Sequence, residues 1–178
     1  SPGIEICDSI DNDCDGSTDE GGVCGSTLTM QALSANGSHN CALATDGTGR
    51  CWGRIQFGQL GDGTTNNRST PVSVTSLTGV VAFSGGYRHS CSLIVDGGVK
   101  CWGGNAQGQL GDGTTVGKLT PVVVSSLSGA VATIGGDFHS CALMSGGTVK
   151  CWGRNDFGQF GDGTTTNRLT PVAITSLP

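Results

Sequence analysis

A fifty-residue unit is written three times in register: HNCALATDGTGRCWGRIQFGQLGDGTT from His39, HSCSLIVDGGVKCWGGNAQGQLGDGTT from His89 and HSCALMSGGTVKCWGRNDFGQFGDGTT from His139. These histidines share one phase with Cys41, Cys91 and Cys141, with Cys51, Cys101 and Cys151, and with Pro71, Pro121 and Pro171, so no insertion separates the copies. A period near this length points to a propeller or a solenoid. In either, each unit is a supersecondary module that buries its apolar faces only by stacking on a neighbour. Three units are few for a propeller.

The composition selects strands over helices. Gly supplies 32 of the 178 residues, and Thr, Ser and Val recur throughout, which suits short strands joined by tight turns. No apolar run approaches the ~20 residues needed to span a bilayer, so membrane insertion is not expected. The start Ser1-Pro2-Gly3 lacks the basic and apolar regions of a signal peptide, which reads as a mature product or a fragment.

The cysteines give the sharpest local inference. In the second unit CSLIV and VKCW flank Asp96-Gly97-Gly98, the pattern of two strands joined by a short Gly-containing hairpin loop. A hairpin centred on Asp96 sets Cys91 opposite Cys101. The same arithmetic sets Cys41 opposite Cys51 and Cys141 opposite Cys151, so each hairpin can close its own cross-strand disulfide. A loop this short limits the gain to roughly 2–3 kcal/mol per bridge. Three such bridges imply an oxidising compartment, hence a secreted or cell-surface protein. Six buried free thiols would need repeated opposition by packing alone, and a zinc site would need the close C-x-x-C spacing that is absent here.

Strand alternation assigns the rest of the unit. Trp52, Trp102 and Trp152 follow the second cysteine and point to the opposite face, across from the small residues Asn40, Ser90 and Ser140. With Leu43, Leu93 and Leu143 on the cysteine face, both faces of the sheet carry large apolar groups, as in a blade packed between blades. Gly61-Asp62-Gly63 and its copies read as turns. Pro71-Val72, Pro121-Val122 and Pro171-Val172 open a strand near a sheet edge, and VVAFS at 80–84 and AVATI at 130–134 supply the fourth. The fold expected is all-β: blades of four antiparallel strands, in repeats of about 28–77, 78–127 and 128–177.

The run G-G-x-x-H-S-C-x-L, followed by C-W-G-x-N-x-x-G-Q-L-G-D-G-T-T and T-P-V, resembles the repeat of the regulator of chromosome condensation family, in the disulfide-bearing form of secreted bacterial proteins. The likeness covers about residues 28–178. It implies a β-propeller of four-stranded blades, usually seven, a number from which this chain departs. The founding member exchanges guanine nucleotide on a small GTPase, but its exchange residues have no match here. The family also includes a secreted protein inhibitor of β-lactamases, which makes protein binding by the loop face an expectation.

Charge marks a boundary near residue 27. Residues 1–27 hold seven acidic residues and no Lys or Arg, whereas the remainder holds 7 acidic and 9 basic residues, a balance of +2. The basic residues of the repeats look scattered, without aromatic interleaving, so nucleic acid is not an expected partner. In the acidic segment, Asp11-Asn12-Asp13-Cys14-Asp15-Gly16-Ser17-Thr18-Asp19-Glu20 places carboxylates at alternate positions before a Gly, the arrangement that wraps oxygen ligands around Ca2+. By loop position Asp11, Asp13 and Asp15 ligate through side chains, Ser17 through its carbonyl and Asp19 directly or through water. Gly22 stands where an EF-hand has its bidentate Glu, which leaves Glu20 or Asp8 for the last ligand. Hard oxygen ligands without nearby His or Met favour calcium over copper. The segment also resembles a metal-binding motif of myxobacterial surface proteins. A solvated acidic linker is the plainer alternative.

Nine cysteines leave one unpaired after four bridges. Cys7 with Cys14 leaves Cys24 as a candidate intermolecular thiol, whereas Cys7 with Cys24 strands Cys14. No enzyme is expected: His39, His89 and His139 recur with the hairpin, and repetition argues for packing over an asymmetric catalytic group. The reading favoured by the open terminal units is a structural protein. Its chains associate head to tail into a filament or ring, stabilised by disulfides and calcium. The alternative is part of a longer secreted propeller that binds a protein, as an inhibitor or adhesin does, or a glycan. Loop positions such as Ile55, Asn105 and Asn155 vary between copies, which suits either a binding face or drift.

Overall fold

The computed structural model describes residues 29–175, all of them in strands, turns or loops. The acidic segment lies outside these residues, and with it Cys7, Cys14, Cys24 and every expected calcium ligand.

Three four-stranded antiparallel meanders follow the repeat. The first comprises β1 (Met30–Asn36), β2 (His39–Ala44), β3 (Gly49–Gly53) and β4 (Arg68–Ser73). The second comprises β5 (Val80–Gly85), β6 (His89–Ile94), β7 (Val99–Gly103) and β8 (Lys118–Val123). The third comprises β9 (Ala130–Gly135), β10 (His139–Met144), β11 (Val149–Gly153) and β12 (Arg168–Ile174). Opening strands lie side by side, since β5 packs on β1 and β2, and β9 packs on β5 and β6. This places β1, β5 and β9 innermost and β4, β8 and β12 on the outer edges.

The register is the one the hairpin arithmetic requires. Cys41, Cys91 and Cys141 face Cys51, Cys101 and Cys151, while Asn40, Ser90 and Ser140 face Trp52, Trp102 and Trp152. All three bridges are closed, with Cα atoms 4.1 Å apart. The outer strands begin three residues before their prolines, at Arg68, Lys118 and Arg168, earlier than the Pro-Val expectation. A register shift between Cys51 and Gly53, and its copies, lets Gly53 reach back to pair with Arg68. Pro71 sits on the edge strand, where its missing N–H breaks no further ladder.

The core lies between blades. Cys41, Leu43, Ile55, Leu60 and Val74 of the first blade enclose Trp102 and Val80 of the second. Cys91, Leu93, Leu110 and Val124 of the second enclose Trp152, Ala130 and Ala142 of the third. The cysteine face of one blade therefore receives the tryptophan face of the next. On the third blade that face is uncovered among the described residues: Leu143 is 41% exposed where its copies Leu43 and Leu93 are 1% and 6%.

The same asymmetry separates the tryptophans, because Trp102 and Trp152 are fully buried and Trp52 is only half-buried. Removing an enclosed aromatic side chain costs about 3–5 kcal/mol. Trp102→Ala should lower stability by that amount in urea titration, and Trp52→Ala by less than half as much. Equal losses would show that Trp52 is as enclosed as Trp102.

Candidate functional site

The Gly-Gln-Leu-Gly-Asp-Gly run shapes the joint between blades. The carbonyl of Gln59 accepts two hydrogen bonds from the second blade, from the Trp102 indole at 2.8 Å and the Ser90 hydroxyl at 2.8 Å. The carbonyl of Gln109 does the same for Trp152 at 2.9 Å and Ser140 at 3.0 Å. Gly61 stands beside this joint with φ of +69°, and a Cβ there would meet the Trp102 ring nitrogen at 2.8 Å, so no other residue fits. The following Asp ties the turn: Asp62 Oδ1 accepts from the Thr64 amide and hydroxyl, both at 2.9 Å, and Arg68 pairs with its other oxygen. Burial alone would raise the Asp62 carboxyl, but the Thr64 and Arg68 hydrogen bonds outweigh it and hold the group below the ordinary carboxylate value.

Histidine completes the joint. His39 Nε2 lies 2.7 Å from Ser90 Oγ, and His89 Nε2 lies 2.8 Å from Ser140 Oγ. Each serine gives its proton to a Gln carbonyl, so its oxygen accepts from Nε2–H and the bare Nδ1 is left without a partner among the described residues. Such an arrangement works against a nucleophile, since the hydroxyl proton faces away from the imidazole and both groups are buried. Burial lowers His39 to about 4; His89 falls to about 3 by burial and the neighbouring histidines. These imidazoles are neutral struts between blades.

Ile55, Asn105 and Asn155 are all buried, so variation between copies does not mark exposed side chains here, although Asn105 lines the floor of the pocket described below. Asn105 Oδ1 accepts from the Leu110 amide at 3.0 Å, and its Nδ2 donates to the Thr114 carbonyl at 3.0 Å, which staples the loop from inside. Asn155 makes the same bonds to Phe160 and Thr164. In the first blade Ile55 joins the apolar core instead, and Asn67 holds its amide at 3.1 Å.

The surface that varies is the rim built by the loops before β2, β6 and β10 and after β3, β7 and β11. Here two of the basic residues, Arg88 and Arg154, depart from the expected scatter and stand among aromatic rings. The Arg88 guanidinium carbon lies 4.4 Å from the Phe57 ring centre, 5.4 Å from Phe138 and 5.7 Å from Tyr87. Arg154 lies 4.8 Å from Phe157 and 5.8 Å from Phe138. Cations and rings thus alternate across three blades, each blade contributing part. Between them opens a pocket of about 360 Å³ whose walls include Phe57, Arg88, Gln107, Thr115, Phe138 and Arg154 and no carboxylate. The signal was present in the sequence as positions where in-register copies disagree: Gly37-Ser38, Tyr87-Arg88 and Asp137-Phe138, or Phe57, Gln107 and Phe157.

Of the site residues expected from sequence, the six hairpin cysteines are brought together in bridges. Among the described residues no group of three or more His, Cys, Asp or Glu is placed to hold a metal, and no helix is long and apolar enough to cross a membrane.

Blades of four antiparallel strands, stacked with their inner strands adjacent, define a β-propeller segment. A family model described as the regulator of chromosome condensation (RCC1) repeat matches residues 51–93, 96–143 and 146–178, and a second model of that repeat matches 80–109 and 130–159. The chain belongs to the regulator of chromosome condensation repeat family. No curated protein sequence matches it. Among solved structures, that of Kap60 bound to yeast RCC1 (Prp20) is 22% identical with a TM-score of 0.73, over 83% of this chain and 37% of that one. Saccharomyces cerevisiae Prp20p, in a study of its binding to Gsp1p and histones, is likewise 22% identical with a TM-score of 0.73, over 83% and 38%. Human WBSCR16 is 21% identical with a TM-score of 0.73, over 84% and 38%. The chain therefore spans little more than a third of the length of these relatives.

The histidine struts predict a pH dependence. An unfolded His titrates near 6.5, so below that pH the unfolded state binds protons that the folded state refuses down to about 4 and 3. Stability should be level well above pH 7 and fall as pH drops, by about 1.6 kcal/mol per buried histidine between pH 6.5 and 5. Urea midpoints across that range check this. His89→Gln, less stable at pH 7, should show a smaller fall, the part that His39 and His139 contribute.

Proposed function

We propose that these repeats are part of an extracellular propeller whose arginine–aromatic rim binds another protein. The observation that carries this reading is the alternation of Phe57, Arg88, Phe138, Arg154 and Phe157 across three blades. Aromatic and Arg side chains are the residue types that dominate binding energy at protein interfaces. Phe157 is 78% exposed, which no core role explains. A glycan is the weaker partner, because sugars stack on ring faces and the Arg88 cation already covers those of Phe57 and Phe138. The solved relatives point the same way in kind: one is bound to Kap60, and another was studied for binding to Gsp1p and histones. The extracellular setting rests on the three hairpin disulfides, which a reducing compartment would open. The role is that of a binding module, not an enzyme.

A second reading, head-to-tail association of chains into a ring or filament, draws on the uncovered face of the third blade, where Ile134 is 68% and Leu143 41% exposed. It is the weaker of the two, because the face of this chain that would dock there carries Asn40 in place of the serine that His139 would meet. The acidic loop from Asp11 to Glu20 is proposed to take Ca2+ on its alternate carboxylates, as a module beside the propeller.

Captured extracellular proteins should be titrated against the oxidised chain by interferometry. Phe57→Ala with Tyr87→Ala should weaken binding at least 10-fold, while Val95→Thr with Val123→Thr should leave it unchanged. The reverse pattern would remove the rim from consideration. Calorimetric titration of the chelator-stripped chain with Ca2+ should show one site that Asp13→Asn with Asp15→Asn abolishes, and a chain that binds none overturns the loop assignment. Sedimentation of the wild-type chain as a monomer, with and without chelator, rejects the assembly reading.

A further inference from the structure

We infer that the pocket around Arg88 receives a carboxylate side chain from an acidic segment of the partner, an inference that rests on the protein-binding reading of the rim. The ion pairs among the described residues are Arg68 with Asp62, Lys118 with Asp112 and Arg154 with Asp156. Arg88 is in none of them. Its Nε is buried without a hydrogen-bond partner among the described residues, and its charge is met only by the rings of Phe57, Tyr87 and Phe138. Ring faces attract a cation but offer it no acceptor, so the guanidinium keeps unused donors. Arg154 on the same pocket differs, because Asp156 Oδ1 already accepts from its Nε at 2.7 Å.

Two further polar groups of the pocket suit the same ligand. Gln107 Oε1 is taken by Asn167 Nδ2 at 3.1 Å, which leaves the Gln107 amide nitrogen as the group free to donate. Thr115, exposed on the wall, adds a hydroxyl. A pocket of about 360 Å³ with one unanswered cation, further donors, two phenylalanine walls and no carboxylate of its own selects a single negative charge on a side chain with an apolar stem. Glu and Asp meet that description. A carboxylate also fits the planar guanidinium edge in a two-bonded fork. Nucleic acid fits less well: its phosphates require several unpaired cations in a row, and this rim has Arg88 and Arg54, of which Arg54 already donates to Gln56.

The wall rings do more than hold the cation in place. With Phe57 and Phe138 beside it, Arg88 keeps one orientation, so little side-chain freedom is lost when the ligand arrives. Their faces also exclude water from the pair, which strengthens it.

The test uses the intact oxidised chain and three fluorescein-labelled probes: a 12-residue peptide of alternating Glu and Leu, its counterpart with Gln for every Glu, and a 12-nucleotide single-stranded DNA. Fluorescence polarisation should show binding of the Glu peptide that weakens at least 10-fold in Arg88→Gln and less than 3-fold in Arg154→Gln. Arg88→Lys, which keeps the charge and loses the fork, should fall between. The Gln peptide should bind wild type no better than the Glu peptide binds Arg88→Gln. Unchanged binding in Arg88→Gln, equal binding of the two peptides, tighter binding of the DNA, or no binding of the Glu peptide would each overturn the inference. Thermal melting within a few degrees of wild type verifies the fold of each variant. If Phe57→Ala weakens both peptides equally while Arg88→Gln weakens neither, the rim remains a protein-binding surface and only the carboxylate assignment fails.

Discussion

The backbone carbonyl of Gln59, and its copy at Gln109, is the point on which the stacking of blades depends. A tryptophan buried between sheets must find an acceptor for its indole N–H, and a serine beside it must also be satisfied. One carbonyl answers both, and the serine oxygen then answers the histidine of the preceding blade. Four residues from two blades thereby close a polar circuit inside an otherwise apolar joint. Removing Ser90 leaves the buried His39 Nε2–H unpaired, which costs more than the bond itself contributes. The glycines follow from the same point. Gly61 admits the indole, and a Cβ on Gly86 would meet the Gly136 carbonyl at 1.9 Å, so just past the ends of β5 and β9 the backbones approach where side chains are missing.

Much of this was legible in the sequence because it repeats. Strand positions, the cross-strand cysteine pairs and the placement of tryptophan opposite serine all follow from the two-residue alternation of a strand combined with one hairpin centre. The contact between His39 and Ser90 was not legible, since the partners lie 51 residues apart and touch only when blades stack. Ile55, Asn105 and Asn155 mislead for a related reason. Variation between copies usually marks exposure, but here an apolar side chain and an amide satisfy the same buried volume, one by joining the core and the other by stapling the loop. The rim was obscured by sequence distance as well. Phe57, Arg88 and Phe138 belong to three different copies, so cation–ring interleaving is invisible along the chain and appears only across it.

The molecule thus divides labour by position in the repeat. Residues that recur in every copy, such as the Gly-Asp-Gly turn and the cysteine pair, build the joints. Residues that differ at equivalent rim positions decorate a surface the joints hold rigid. Loops on a stiff scaffold are where recognition chemistry concentrates, because their side chains can change without disturbing the packing beneath. Arg88 shows the principle in one residue: its backbone carbonyl accepts from Gly104 at 2.7 Å and pins the loop, while its side chain faces the rings of the rim.

Each disulfide among the described residues begins and ends within one hairpin, 10 residues apart, and none of these ties one blade to another. Six cysteines permit 15 pairings. The native one links sequence neighbours, whose ends meet with the least loss of chain entropy. During synthesis each pair can oxidise as its own hairpin emerges, before the next cysteine is available to compete. A unit copied or deleted whole takes its staple with it and leaves no thiol stranded. The oxidative chemistry is therefore as modular as the fold, and the number of blades can change without rewiring a single bond.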